Sequence, residues 1–484
     1  MAADLKSYFG IDFGTTNSAV TGYMVMDNKP ELIRFGDVEG RPVPSVVAVN
    51  KETGDIITGR EAWERKMELS ETCEYFYSVK SILDRDNVVT IAGRDWSPVD
   101  IAAEVFKKLK GNVKDRTGNE LNVATVAIPI DFSAEKRDKL RTAASRAGIT
   151  IKSFVSEPTA AFFANYEELK SASVIAVFDW GGGTLDVSVL KNENGRISEL
   201  ATAGSNIAGD YIDNEIARRI HSKVTRKKRI EVAFESLPAR ARDMIRVKSE
   251  GAKRNLSDDD SAVISINNYG PCGKFNEILD YDWFAAIIDP IVTMAMDCLK
   301  EAISQSGVGV ANIDRILMVG GSSNLRPLLE KMENEYGDKI YFPEQTMWNV
   351  AQGAAILSMT PGNYYANQSV GVILSDNAYY ELLPPDTPLE DWEHNCSFGI
   401  VDSSEEARFV FSGSPDIDCS PEKYKTLSVP AYRFMQEHIN LKAFVDQNMV
   451  LNVIAGSNMR PKEYYRIWQY SKLKCYYKLS DGQV

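Results

Sequence analysis

Two stretches about 170 residues apart make the same unusual statement. Phe9–Val20 reads FGIDFGTTNSAV, and Val177–Val189 reads VFDWGGGTLDVSV. In each, an apolar run leads into an aspartate, Asp12 or Asp179. A turn rich in glycine and threonine follows, and then alternating apolar residues resume. The pattern predicts strand, tight turn, strand. Gly14, Gly181, Gly182 and Gly183 let backbone N–H groups approach an anion with no Cβ in the way. Thr15, Thr16 and Thr184 add hydroxyl donors, and an aspartate at a strand end can hold a cation. An anion cradle beside a carboxylate suits a nucleotide phosphate with its Mg²⁺. One such turn is only a hairpin. Two of them predict an internal duplication, with two lobes presenting phosphate loops to one cleft; two unrelated hairpins are the alternative.

The rest of the chain narrows the function classes. At 484 residues it has room for two to four domains. A net charge of −13 argues against non-specific binding to nucleic acid or anionic membrane. No run of about 18 apolar residues occurs, so no membrane span is expected. MAADLKSYFG has no apolar core of a signal peptide, so the expected location is cytoplasmic. The six cysteines are scattered, with no CxxC pair, which argues against a zinc site or a disulfide framework. None of the three histidines stands in a nucleophile motif.

Taken in order, Tyr75–Leu83 carries Lys80, which by itself reads as a solvated lysine. Val123–Ile128 predicts a strand, and Ser133 can cap the helix that follows. With a strand at Thr150–Val155 this makes a βαβ unit. Pro158 fits a first helical position, which puts Glu157 at a strand–helix junction. Carboxylates there are usually caps, and a general-base role for Glu157 depends on the cleft. Gly209 and Asp210 form a third glycine turn, before a helix expected near Tyr211. Residues 211–257 read as helical, with Glu250, Lys253, Arg254 and Ser257 on one face; a solvated face fits as well as a ligand-facing one. Pro290 is expected to open a helix ending near Ser306. Arg315–Val319 is a strand, and Gly320, Gly321 and Ser322 follow at a junction suited to a nucleotide. Asn349–Met359 reads as a helix of small residues. Beyond Thr360 short alternating strands begin, at Ser369–Leu374, Tyr379–Leu383, Phe398–Asp402, Ala407–Ser412, Asn440–Val445 and Val450–Ala455. They predict a separate β domain.

The set GIDFGTTNSAV, VAIPIDFSAEKRDKLRTAASRAGI, SEPTAA, FDWGGGTLDVSV, EGAKRNLS and ILMVGGSSNL resembles, in order and spacing, the nucleotide-binding domain of the seventy-kilodalton heat-shock chaperones of DnaK type. The resemblance covers roughly residues 7–360. SVGVILSDNAYYELLPPDTPL and INLKAFVDQNMVLNVIAGS are similar to strands of that family's peptide-binding β-sandwich. The resemblance implies an α/β fold of duplicated ribonuclease-H-like, actin-like ATPase lobes, followed by a small all-β sandwich. It places the nucleotide-binding domain at 1–360 and the sandwich at 364–460, and leaves 461–484 as a tail without assignment. It implies an ATPase using ATP and Mg²⁺. Asp12 and Asp179 would hold the metal through its water shell. Thr15, Thr16, Gly181, Gly182, Gly183 and Thr184 would cradle the phosphates. Lys80 would orient the attacking water, and Glu157 would align it or accept its proton. Gly209, Asp210, Glu250, Lys253, Arg254, Ser257, Gly320, Gly321 and Ser322 would surround ribose and adenine.

The chain also departs from that family. An arginine that stacks on adenine is replaced by Asn324, and an aspartate near the ribose by Met347. The arginine that engages J-domain co-chaperones is Ser153, which puts that contact in doubt, while the resemblance still implies co-chaperones as partners. The leucine-rich linker gives way to Pro361-Gly362-Asn363-Tyr364-Tyr365, and with only a short tail after the sandwich no helical lid is expected. Three function classes therefore stand. One is a slow ATPase chaperone whose nucleotide state controls binding of unfolded or extended polypeptide. Another is an ATP-binding regulatory or scaffold protein without peptide cycling. The last is an actin-like filament protein or a kinase of the same fold.

Overall fold

The computed structural model describes residues 7–26, 29–360, 362–374, 376–400, 405–413, 424–432, 436–460 and 462–479. It divides into two compact units. One comprises Met1–Asp131, Lys139–Asn192 and Glu199–Met359; the other comprises Phe132–Asp138, Glu193–Ser198 and Thr360–Val484.

The first unit repeats one topology. In its first lobe the strands lie in the order Thr150–Ser156, Val123–Ile128, Ser7–Asp12, Asn17–Met26, Lys29–Arg34. In its second lobe they run Ile340–Tyr341, Arg315–Val319, Val174–Trp180, Leu185–Glu193, Arg196–Ser205. Each motif strand pairs antiparallel with its hairpin partner on one side and parallel with a crossover strand on the other. The duplication read from two aspartates is thus present in the strand order. The motif strands are buried on both faces, as parallel-flanked central strands are. Phe178, Trp180, Ile212, Ile216 and Phe284 are all inaccessible in the core of the second lobe.

Helices Glu157–Ala164 and Asn349–Met359 cross at very short range. A Cβ on Gly353 would fall 1.7 Å from Ala160 O, so only glycine permits the approach. Asn165 Nδ2 donates to Asn349 Oδ1 at 2.7 Å and closes the crossing. This packing fixes the helix that carries Glu157.

Pro290 does not open a helix. It lies inside a 26-residue helix, Tyr281–Ser306, which Asp280 caps through the Trp283 N–H. An interior proline costs about 3 kcal/mol. Phe284, Ile287, Ile288 and Ile291 are buried around it, at about 1.5–3 kcal/mol each, and that term is larger. The expected helical span 211–257 is two helices, Gly209–Lys228 and Ala239–Asn255. Arg229 in the left-handed region ends the first, and Pro238 precedes the second.

The second unit contains two four-stranded antiparallel sheets. One runs Tyr379–Leu383, Val370–Ile373, Glu406–Ser412, Tyr424–Pro430; the other runs Glu393–Gly399, His438–Val445, Leu451–Ser457, Tyr464–Tyr470. Phe411 and Trp468 stack between them at 4.3 Å. The strand expected at Phe398–Asp402 lies earlier, at Glu393–Gly399, because the inward alternation falls on His394, Cys396 and Phe398. Residues 401 and 402 lie outside the described residues. The segment expected to replace a linker is a strand, Gly362–Ala366, paired with Cys475–Leu479; Pro361 lies outside the described residues. Cys475–Leu479 also pairs with Arg196–Ser198, and Arg196 stacks over Tyr476 at 3.6 Å. The last stretch, left without an element from sequence, therefore holds the strands Tyr464–Tyr470 and Cys475–Leu479. Among the described residues no helix is long and apolar enough to cross a membrane.

Candidate functional site

Asp12 closes its strand, and Asp179 lies one residue from the end of Val174–Trp180. Both line one cavity of about 400 Å³, within the usual range for a ligand site. Gly14, Thr15 and Thr16 line it from one turn, and Gly181, Gly182, Gly183 and Thr184 from the other. The turns meet directly. A Cβ on Gly182 would fall 2.6 Å from Thr16 Oγ1, so a methyl group there would force the loops apart. Thr16 Oγ1 also donates to Asp210 Oδ2 at 3.3 Å. The second turn is held from behind: Asp210 N donates to Gly182 O at 2.7 Å, and Ser322 Oγ to Gly181 O at 2.8 Å. Gly209 and Asp210 are the first turn of a helix rather than a loop before it. Asp210 lines the cavity. Gly209 stands behind the lining, where its carbonyl accepts from Lys253 Nζ at 3.1 Å.

Lys80 is not a solvated lysine. It is 8% exposed, and its Nζ donates to Glu157 Oε1 at 2.6 Å. Glu157 is the first residue of its helix, with Ser156 as cap and Pro158 second. Burial first, then the charge of Glu157, push the Asp12 carboxyl up to about 7, against the pull of Lys80. Burial and the charges of Glu157, Asp12 and Asp186 push Asp179 well above the carboxylate range. Burial acts to lower Lys80, but Glu157 and Asp12 outweigh it and leave the ammonium favoured.

Several carboxylates therefore gather round one ammonium, and burial first, then their mutual repulsion, raises their affinity for protons. A divalent cation relieves the same repulsion. Among the described residues no group of three or more His, Cys, Asp or Glu side chains is set to hold a metal alone. Asp12 and Asp179, lining one cavity with the two glycine and threonine turns, fit Mg²⁺, which keeps its waters and takes phosphate oxygens as further ligands.

The family model for the Hsp70 protein matches residues 57–363, more than half of the 484. The chain belongs to the Hsp70 family. It is similar to chaperone protein DnaK of Mycoplasma mycoides subsp. mycoides, 29% identical over 381 residues, which is 77% of this chain and 61% of that protein. It is 28% identical over 377 residues to chaperone protein DnaK of Ureaplasma urealyticum, covering 76% of this chain and 60% of that one. For chaperone protein DnaK of Mycoplasma mobile the identity is 29% over 360 residues, 72% and 58% of the two chains. The chain thus spans about three fifths of the length of the curated relatives it matches. The fold is that of the Hsp70 family: paired actin-like lobes and an all-β sandwich region.

In this Hsp70 chain the same cavity is also lined by Glu250, Lys253, Arg254 and Ser257. Gly320, Gly321 and Ser322 line it too. Arg254 pairs with Glu250, and Lys253 with Asp213 at 2.8 Å. Burial, opposed by Lys253, pushes Asp213 up to about 7. Asn324 Nδ2 donates to Thr346 Oγ1 at 2.9 Å, and Met347 lies 44% exposed in the cavity wall.

Two cavity carboxylates escaped the sequence reading. Asp186 lies directly across the hairpin from Asp179, and burial first, then Glu157, hold it up at about 6. Its signal was a lone acid inside LDVSV, but a strand residue pointing to solvent leaves the same trace. Asp213 is one turn after Gly209 on its helix, and only the pairing with Lys253 marks it.

Proposed function

We propose that this chain is a slow ATPase of the chaperone type. Its nucleotide-binding part, residues 1–360, binds ATP with Mg²⁺. The β-sandwich, bounded at 364–460 from sequence and extended by the strand Tyr464–Tyr470, takes extended or unfolded polypeptide with an affinity set by nucleotide state. The supporting observation is the meeting of both aspartate hairpins and the Lys80–Glu157 pair in one cavity.

Asp12 and Asp179 would hold Mg²⁺, which would supply charge neutralisation for the β- and γ-phosphates. The remaining work belongs to the chain. Backbone N–H groups of the Gly14–Thr16 and Gly182–Thr184 turns, with the threonine hydroxyls, hold the phosphate oxygens, while the Gly181 N–H closes its turn on Thr184 O at 3.0 Å. Lys80 orients the attacking water, and Glu157 accepts its proton. Positioning and charge stabilisation carry phosphoryl transfer, and a rigid, buried site provides both. Glu250, Lys253, Arg254, Ser257, Gly320, Gly321 and Ser322 surround the nucleoside. Asn324 and Met347 stand where the family has an arginine and an aspartate, so the nucleoside site carries one cation and one acid fewer.

A second reading keeps ATP binding and drops peptide cycling, giving a regulatory or scaffold protein. It is favoured by the strand Gly362–Ala366, whose backbone is paired with Cys475–Leu479 at the place where the family carries a leucine-rich linker. Calorimetric titration with ATP and an unfolded-peptide competitor separates the two. Peptide affinity that changes with nucleotide supports the chaperone cycle. ATP binding with no peptide binding supports the scaffold.

A further inference from the structure

Glu199 lies on the strand Arg196–Ser205, well apart in sequence from every residue placed at the phosphates. Its carboxylate is turned toward the start of the helix Glu157–Ala164. Ser156 Oγ donates to Glu199 Oε1, and Thr159 Oγ1 donates to the same oxygen at 3.3 Å. The two hydroxyls stand 2.8 Å apart. Ser156 Oγ also accepts from Thr159 N at 3.3 Å, which makes Ser156 the helix cap. One carboxylate oxygen thus gathers the cap residue and the third residue of the helix. Glu157 stands between them in sequence.

This arrangement bears on the Lys80–Glu157 pair. A glutamate in the first turn of a helix ordinarily competes for the unpaired N–H groups there. Here Ser156 takes that role and is itself anchored from the second lobe by Glu199. The Glu157 carboxylate is left to face Lys80 at 2.6 Å. Ser156 is 7% exposed and Thr159 1%, so water does not readily replace a lost partner. Burial pushes the Glu199 carboxyl up, and the hydroxyls of Ser156 and Thr159 pull it back, as expected of a carboxylate that accepts both bonds.

We propose that Glu199 is a positioning residue: through Ser156 and Thr159 it fixes the first turn of the Glu157 helix, and with it the Glu157 carboxylate against Lys80. The inference deepens the ATPase reading and rests on it for its consequence in turnover, while its structural half stands without it.

The test uses the full chain and three variants, E199V, E199Q and S156A. Turnover of Mg·ATP, calorimetric Mg·ATP affinity and amide hydrogen exchange of the nucleotide-free protein are measured on each. E199V should lower kcat about tenfold through misplacement of Glu157, with Kd for Mg·ATP changed by less than about twofold. Amides of residues 159–161 should exchange faster, with the strand Val174–Trp180 unchanged. E199Q should keep kcat within about threefold of the parent, because both hydroxyls address one oxygen that an amide can supply. S156A reads the contact from its other end should E199V fail to fold, and it should show the same loss in kcat. Unchanged exchange at 159–161 in both E199V and S156A would overturn the proposal, and so would unchanged kcat in an active enzyme. An E199Q as impaired as E199V would also overturn it, by showing that charge rather than placement matters. A parent chain with no ATP turnover would instead refute the ATPase reading, and the exchange data would still decide the positioning role.

Discussion

Replacing Asp12 by Asn should make the nucleotide-free protein more stable while removing its response to Mg·ATP. The Asp12 carboxyl is held at about 7 instead of 3.8, by burial and the charge of Glu157. The folded state therefore holds this proton more tightly than the unfolded chain. Stability falls as pH rises from about 4 to about 7 and levels off above that. Taken alone, the group costs about 4 kcal/mol above neutral pH. Asp179 and Asp186 share the same field, and Lys80 loses an anionic neighbour, so about 2 kcal/mol is expected from the substitution. For a unit of some 350 residues this is about 3 °C in Tm. The assay is thermal unfolding of parent and D12N without nucleotide, from pH 4.5 to 8, repeated at pH 7.5 with Mg·ATP. D12N should match the parent near pH 4.5 and exceed it above pH 7. Only the parent should gain Tm with Mg·ATP. A D12N protein less stable than the parent at pH 7.5, or a difference independent of pH, would refute the reasoning.

Lys80→Ala should reduce ATP turnover by about 10²–10³-fold, the range for losing one charge-stabilising group, with ATP affinity changed by less than about threefold in calorimetry. Unchanged turnover would remove Lys80 from the chemistry. Lys66 Nζ pairs with Asp243 Oδ1 at 3.0 Å and lies 4.5 Å from the Tyr77 ring centroid. It joins the turn Lys66–Leu69 to the helix Ala239–Asn255, whose Lys253 and Arg254 line the cavity. Lys66→Ala should speed release of a fluorescent ATP analogue by about fivefold in stopped flow, on the order of 1 kcal/mol for a partly buried pair.

The two glycine turns that line the cavity were legible in the sequence because their pattern is local. A glycine turn after an aspartate is written in consecutive residues, and Asp12, Asp179 and the glycines all reach the cavity. Lys80 could not be judged this way. Its burial depends on Glu157, 77 residues away, and a lone lysine in an aromatic stretch looks the same when solvated. Asp186 and Glu199 were missed for the same reason, since each is defined by what faces it across a sheet or a lobe. Pro290 was misread because local propensity favours a helix start, while the buried residues on either side of it decide otherwise. The strands Gly362–Ala366 and Cys475–Leu479 pair over more than a hundred residues, and no local pattern announces such a partner.

The proposed function requires the two hairpins to hold one metal-bound triphosphate between them. Calorimetric titration of ATP into the parent and into Asp179→Asn, with Mg²⁺ and with EDTA, decides it. The parent should show one site per chain, strong with Mg²⁺ and weakened by EDTA, and Asp179→Asn should lose most of the Mg²⁺-dependent part. Binding of equal strength in all four titrations, or no binding in the parent, would contradict it.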